Sequence, residues 1–110
     1  MATIPWDVYR IGDQNGAGLD LIRPGLDVTV VNWNNTDWVL ANTGGASTRL
    51  RPHTLRNPND RWWQLRAGSP IHPLLTAVRD SRNHVSWEPL HHMLLSEYIS
   101  ALASMNGLFV

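Results

Sequence analysis

Leu74-Leu75-Thr76-Ala77-Val78-Arg79-Asp80-Ser81-Arg82-Asn83-His84-Val85-Ser86-Trp87-Glu88 is the stretch on which the fold turns. Two runs, Leu74 to Asp80 and His84 to Glu88, flank the turn-prone residues Ser81-Arg82-Asn83, and that spacing predicts an antiparallel hairpin. Pro89 closes the second run. Beyond it, the apolar residues Leu94, Leu95, Tyr98, Ile99, Leu102 and Met105 recur three and four positions apart, as in a helix that buries one stripe. Asn106-Gly107 is a natural stop for that helix. A hairpin leading into an amphipathic helix argues for an α+β unit.

Working outward, Trp6 to Gly12 reads as a strand that runs into the turn-rich Gly12-Asp13-Gln14-Asn15-Gly16. Asp27 to Trp33 is β-branched and extended, Asn34 to Asp37 is a turn, and Trp38 to Ala41 is a short apolar continuation. Gly44-Gly45-Ala46-Ser47-Thr48-Arg49 interrupts any regular element, with two glycines that let the backbone approach a ligand. Arg51 to Asp60 is loop, rich in proline and asparagine. Arg61 to Arg66 is a further strand. With no repeat or linker, residues 1–110 form one domain.

Composition removes several classes of function. A formal net charge of zero argues against a general nucleic-acid binder. The absence of cysteine excludes disulfides and thiolate metal sites. The N-terminal residues carry neither a basic nor an apolar leader region, and no window is long enough to span a membrane, so the expected location is the cytoplasm, or export by a route that needs no cleaved signal. All nine basic residues are arginine, and seven of them fall between Arg49 and Arg82. A GC-rich genome accounts for such a bias, and so does a need for planar, bidentate donors to phosphate or carboxylate. Six tryptophans supply large rigid surfaces, expected mostly in the core.

Familiar motifs fail on spacing. Gly16-Ala17-Gly18 opens like a dinucleotide fingerprint, but Leu21 occupies the third glycine position. No Walker loop and no Gly-x-Ser-x-Gly elbow is present. His84, His91 and His92 lack a companion set of metal ligands, so no metal is expected. Glutamate is scarce: Glu97 falls between stripe positions of the helix and is expected in solvent. Glu88 closes a strand just before a proline, either projecting into a cleft at the edge of the sheet or standing as an exposed strand-end carboxylate.

Three pieces combine: Tyr9-Arg10-Ile11-Gly12, the Gly44-Gly45-Ala46-Ser47-Thr48 segment, and the strand from His84 to Pro89. With Arg23-Pro24-Gly25, Trp62 to Ile71, Val78-Arg79-Asp80, Met93 and Tyr98 in the same order, the chain resembles toxins of the ADP-ribosyltransferase fold. It is most similar to the small Tse-type effectors of type VI secretion systems and their relatives in toxin–immunity pairs. The resemblance implies a compact fold of two twisted antiparallel sheets around a cleft, with a C-terminal amphipathic helix, and nicotinamide adenine dinucleotide (NAD) as the molecule consumed. It implies catalytic roles for Glu88, Arg10 and Ser47, with Tyr9, Gly45, Thr48, His84 and Trp87 on the dinucleotide-binding side.

In those terms Arg10 grips pyrophosphate or ribose oxygens, Ser47 and Thr48 shape the nicotinamide-ribose side, His84 orients the dinucleotide, and Glu88 stabilises the oxocarbenium-like charge. An immunity protein or antitoxin is the implied partner. Val85 stands where the family commonly has an aromatic residue, leaving Trp87 or Tyr98 to stack on nicotinamide. No Glu-x-Glu pair is present, so transfer and simple hydrolysis of NAD are both open. Two readings from other classes stand beside this one. One is a non-enzymatic interaction or inhibitory domain using its tryptophans and arginines; the other is a ribonuclease-like toxin using His53 or His84 with the arginines from Arg49 to Arg66.

Overall fold

The computed structural model describes residues 2–110. The hairpin forms as its sequence predicts: β6 (Leu75–Ser81) pairs antiparallel with β7 (His84–Pro89), with a register shift between Arg79 and Ser81. β1 (Val8–Gly12) pairs with β5 (Arg61–Leu65), and β2 (Val30–Trp33) with β3 (Thr36–Val39). The β2–β3 turn uses Asn34 and Asn35 at φ 54° and 59°, the left-handed pair that matches strand twist and that asparagine tolerates. β8 (Met93–Leu94) adds to β3 just ahead of α1 (Leu95–Met105).

One sequence expectation is overturned here. The segment from Gly44 to Arg49 does not merely break regular structure, because Ala46–Thr48 form β4, which pairs with β7. The glycines precede the strand. An added Cβ at Gly45 would lie 2.0 Å from the Trp87 carbonyl oxygen, so only glycine lets the backbones come together there.

The strands divide into sheets ordered β1-β5, β2-β3-β8 and β4-β7-β6. The first and last are stitched together by reciprocal backbone hydrogen bonds between Tyr9 and Arg49, at 2.7 and 2.8 Å. That bridge continues the order as β5-β1-β4-β7-β6, with β7 buried along almost its whole length. Two sheet layers therefore result, with α1 packed near β3 and β6. The result is a compact α+β unit of mostly antiparallel strands with one C-terminal helix. No helix among the described residues is long and apolar enough to cross a membrane.

Alternation along β7 sorts the side chains. Val85 and Trp87 face the core with Ala46 and Thr48 of β4, whereas His84, Ser86 and Glu88 face the other way with Ser47. α1 buries Tyr98, Ala101, Leu102 and Met105, and Glu97 Oε1 accepts the Leu94 N–H at 3.3 Å. A carboxylate in the first helical turn also suits the helix dipole. α1 ends at Met105, just before Asn106-Gly107, as expected. A 3-10 turn, Asn106–Leu108, carries the chain on until Val110 exchanges backbone hydrogen bonds with Gln64 of β5. The tryptophans depart from expectation as well: Trp87 is fully buried, Trp33 is 66% exposed and the other four are half-buried. A chain this short has too little interior for six indoles.

A polar network runs through the core. The Tyr98 hydroxyl donates to Trp87 O at 2.5 Å and accepts the Ala46 N–H at 3.0 Å, so it sits between β4 and β7. The Trp87 indole donates to Thr48 Oγ1 at 2.9 Å, and that hydroxyl donates to Val85 O at 2.9 Å. Burial pushes the Tyr98 phenol up to about 12, with the nearby Glu88 charge acting in the same direction and the Ala46 N–H opposing it. Tyr98→Phe leaves a buried N–H and a buried carbonyl unpaired and lowers stability by about 1–3 kcal/mol in urea denaturation. Because the folded-state value lies above the unfolded one, the phenol stabilises fully below about pH 10 and loses that contribution as pH rises toward 12. The alkaline fall in stability is therefore shallower in Tyr98→Phe than in the wild type.

Candidate functional site

Register places the sequence-predicted residues in two groups. Tyr9 of β1 is bridged to Arg49, which directly follows β4, and Ser47 is the cross-strand partner of Ser86. Glu88 lies two residues along β7 from Ser86 on the same face, which makes it a diagonal neighbour of Ser47, about 7–8 Å away by sheet geometry. Ser47 also lines a cleft of about 180 Å³ with Tyr9, Arg10, Ile11, Thr48, Arg49 and Trp62, a lining that includes neither Ser86 nor Glu88. A second cleft of about 270 Å³ shares Arg10 and Ile11 and extends over Gly12, Gly16 to Gly18 and Leu21.

Glu88 stands out chemically. It is only 9% exposed, and among the described residues no hydrogen-bond donor and no cation meets its carboxylate; the ion pairs present are Arg23–Asp27 and His84–Asp80. The Glu88 oxygens are not among the enclosed, unpartnered polar atoms of the described residues, which are Arg10 Nε and Trp38 Nε1, so the carboxylate keeps contact with solvent and its charge is tolerated without a protein partner. Diagonal to Ser47 and opposite Thr76 of β6, the Glu88 carboxylate has its hydrogen-bonding capacity available for a ligand. It belongs to the sheet's central, buried strand and not to an edge.

Arg10 is placed differently from a ligand-gripping cation. Its Nη1 donates to Ser47 O at 2.7 Å, and Nη2 donates to Gly18 O at 3.0 Å and Leu21 O at 3.1 Å. The guanidinium thus ties the loop after β1 to β4. Burial lowers its pKa, offset by the charges of Asp27 and Asp20, and guanidinium chemistry keeps it protonated at neutral pH. The same loop is held from the far side by Asn106, whose side chain accepts the Leu19 N–H at 2.8 Å and donates to Asp20 at 2.7 Å.

The remaining residues separate by face. The Thr48 and Trp87 side chains are buried on the core side and bonded to each other, so neither reaches a ligand in the cleft. Gly45 is buried against the Trp87 carbonyl and serves the close approach of the strands. His84 shares a face with Glu88 but stands at the other end of β7, about 13 Å along an extended strand. There its Nδ1–H donates to Asp80 at 2.5 Å. Arg49 and Trp62 line the cleft although no role was read for either one individually. Arg49 follows Ser47-Thr48 directly in the chain, and that adjacency was the available signal. Trp62 donates from its indole to His53 O at 2.7 Å, and the His53 ring meets its edge at 5.0 Å, which anchors the long loop before β5.

Metal binding finds no geometry here. Among the described residues no three histidine, aspartate or glutamate side chains converge. The His92 Nδ1 accepts the Ala41 N–H at 3.0 Å and the His72 Nδ1 accepts the Leu74 N–H at 3.1 Å, so both are engaged with the backbone. Compared with known proteins, the chain matches no family model, no curated protein and no solved structure at a significant level.

Two substitutions separate structural from chemical roles. Arg10→Met removes charge-assisted bonds to three carbonyls and lowers stability by about 1.5–3 kcal/mol in urea denaturation. Glu88→Gln breaks no protein hydrogen bond and shifts the midpoint by less than about 0.5 kcal/mol-equivalent. Equal midpoints for the wild type and Arg10→Met would show that the guanidinium does not hold the loop.

Proposed function

We propose that this protein is an NAD-consuming toxin of the ADP-ribosyltransferase fold, a transferase or an NAD glycohydrolase acting in the cytoplasm of its target cell. The observation that carries the reading is the Glu88 carboxylate, without a protein partner among the described residues and on the same sheet face as Ser47, a residue that lines a cleft with Tyr9, Arg10 and Arg49. The sequence resemblance to Tse-type effectors supplies the substrate, and an antiparallel α+β architecture is compatible with it.

The chemistry divides among the residues as follows. Glu88 accepts a hydrogen bond from a hydroxyl of the nicotinamide ribose and faces the positive charge that grows at the anomeric carbon. The bond between that carbon and the nicotinamide nitrogen breaks, and its electron pair leaves with neutral nicotinamide. Water or an acceptor nucleophile then bonds to the same carbon and gives up a proton. The Ser47 hydroxyl positions the ribose. Arg49, which lines the cleft with no carboxylate partner among the described residues, takes the pyrophosphate. Arg10 holds the walls of the cleft through its three carbonyl acceptors. The individual clefts are smaller than or at the margin of the roughly 300–1,000 Å³ usual for ligand sites, and the lining shared at Arg10 and Ile11 lets a dinucleotide extend across both.

A producing cell then needs an immunity protein or antitoxin, and occlusion of the Tyr9–Glu88 face is the simplest neutralising mode. A non-enzymatic interaction domain is the second reading, favoured by Trp33, an indole two-thirds exposed on the open edge strand β2.

Nicotinamide release from NAD is the test. Wild-type protein is expected to release it, with Glu88→Gln slowed by about 100-fold or more and Ser47→Ala less severely affected. Equal release by wild type and Glu88→Gln would remove Glu88 from the mechanism, and an absence of release and of any thermal shift with NAD would favour the interaction domain. Label from the adenylate half appearing on a macromolecule marks transfer, and its absence marks hydrolysis.

A further inference from the structure

A cavity of about 450 Å³ lies at the tip of the β6–β7 hairpin, lined by Arg51, Arg79, Arg82 and Asn83. Its three arginines come from two distant parts of the chain, and local bonds hold the Arg51 backbone and the Arg79 side chain at the hairpin. Asn83 clamps the backbone of Arg51, with Oδ1 accepting the Arg51 N–H at 2.6 Å and Nδ2 donating to Arg51 O at 3.3 Å. Arg79 is aimed by its own hairpin, donating from Nε to Ser81 O at 3.3 Å and from Nη2 to Arg82 O at 3.2 Å. Among the described residues no carboxylate lies within ion-pairing distance of any of the three. Asp80, the acidic residue of this hairpin, is engaged by His84 instead.

Like charges gathered in a concavity repel, and surface arginines usually relieve this with a neighbouring carboxylate. Here the bonds to the Arg51 backbone and from the Arg79 side chain bring the three arginines to one concavity without one. Planar guanidiniums lining one concavity, two of them with no protein acceptor among the described residues, suit the tetrahedral oxygens of phosphate, which accept bidentate bonds.

We propose that this cavity is an oligophosphate-binding site, separate from the Ser47–Glu88 face, with Arg51, Arg79 and Arg82 as its donors. Its volume exceeds the need of a single phosphate and falls within the roughly 300–1,000 Å³ usual for small ligands. A chain of two or three phosphates fits that size and charge, whether inorganic or attached to a nucleoside. The small number of arginines in the concavity and the neutral net charge of the chain disfavour a nucleic-acid track, which needs an extended basic surface.

Calorimetric titration tests this with inorganic tripolyphosphate and, separately, a nucleoside triphosphate. Both are expected to bind the wild type, at least about tenfold more weakly to Arg51→Gln/Arg82→Gln, and unchanged to Arg66→Gln, an exposed arginine outside the cavity. The Arg51 and Arg82 side chains make no hydrogen bond in the fold, so the double variant keeps its thermal midpoint, which is measured alongside. Tighter binding of the nucleoside form identifies a nucleotide ligand, and equal binding shows that the phosphate chain alone is read. Undiminished binding to the double variant, an equal loss in Arg66→Gln, or binding confined to a single-stranded RNA oligonucleotide overturns the proposal. Glu88→Gln retains tripolyphosphate binding, so the outcome is independent of NAD turnover.

Discussion

The phenol of Tyr98 joins the helix to the sheet at a point where neither is stable alone. By accepting the Ala46 N–H and donating to Trp87 O, it occupies the seam between β4 and β7 and carries the backbone pairing through a side chain from α1. A two-residue strand, a three-residue strand and an 11-residue helix have little independent stability. The Trp87 indole and Thr48 hydroxyl extend the network, so the polar groups buried in this seam are satisfied and the pairing register is specified. Everything on the opposite face, including Ser47 and Glu88, inherits its position from that seam.

Arg10 and Asn106 perform a comparable task for the loop after β1. One reaches it from the sheet and the other from the end of the helix, and between them they satisfy backbone groups of Gly18, Leu19 and Leu21. A loop held at both sides can form the wall of a cleft without regular structure of its own. This explains how an arginine in a position suited to a ligand becomes an architectural residue: both of its Nη groups are committed to backbone carbonyls, while Nε is buried without a partner among the described residues. At the hairpin tip Arg79 is likewise tied to backbone carbonyls, whereas the Arg51 and Arg82 guanidiniums beside it have no protein acceptor among the described residues.

The contrast between Glu88 and the other acidic residues follows from the same economy of contacts. Asp27 is bound by the Arg23 side chain and backbone N–H, which hold its carboxyl below the usual range against the opposing effect of burial. Asp80 is met by His84, Asp20 by Asn106, and Asp7 caps the Ala67 N–H. Glu88, largely covered as a residue, meets no partner among the described residues, and its oxygens keep contact with solvent.

Local pattern determined a good deal. Period-two and turn chemistry placed the β6–β7 hairpin, β1, β5 and the β2–β3 turn, and the three-and-four spacing placed α1, because these signals depend on residues only a few positions apart. The scarcity of glutamate singled out Glu88 before any fold was known. Pairing decided the rest. Ala46–Thr48 is a strand because β7 lies beside it, whereas its own glycine-rich surroundings read as a break. The fate of Trp87 and Thr48 on the core side, of Arg10 among three carbonyls, and of Arg49 and Trp62 in the cleft depended on which strand lay opposite. The sequence by itself determined which segments were extended or helical and which side chains carried chemistry; only the tertiary structure decided which were buried, which were bonded, and which faced one another, because those properties arise from contacts between residues tens of positions apart.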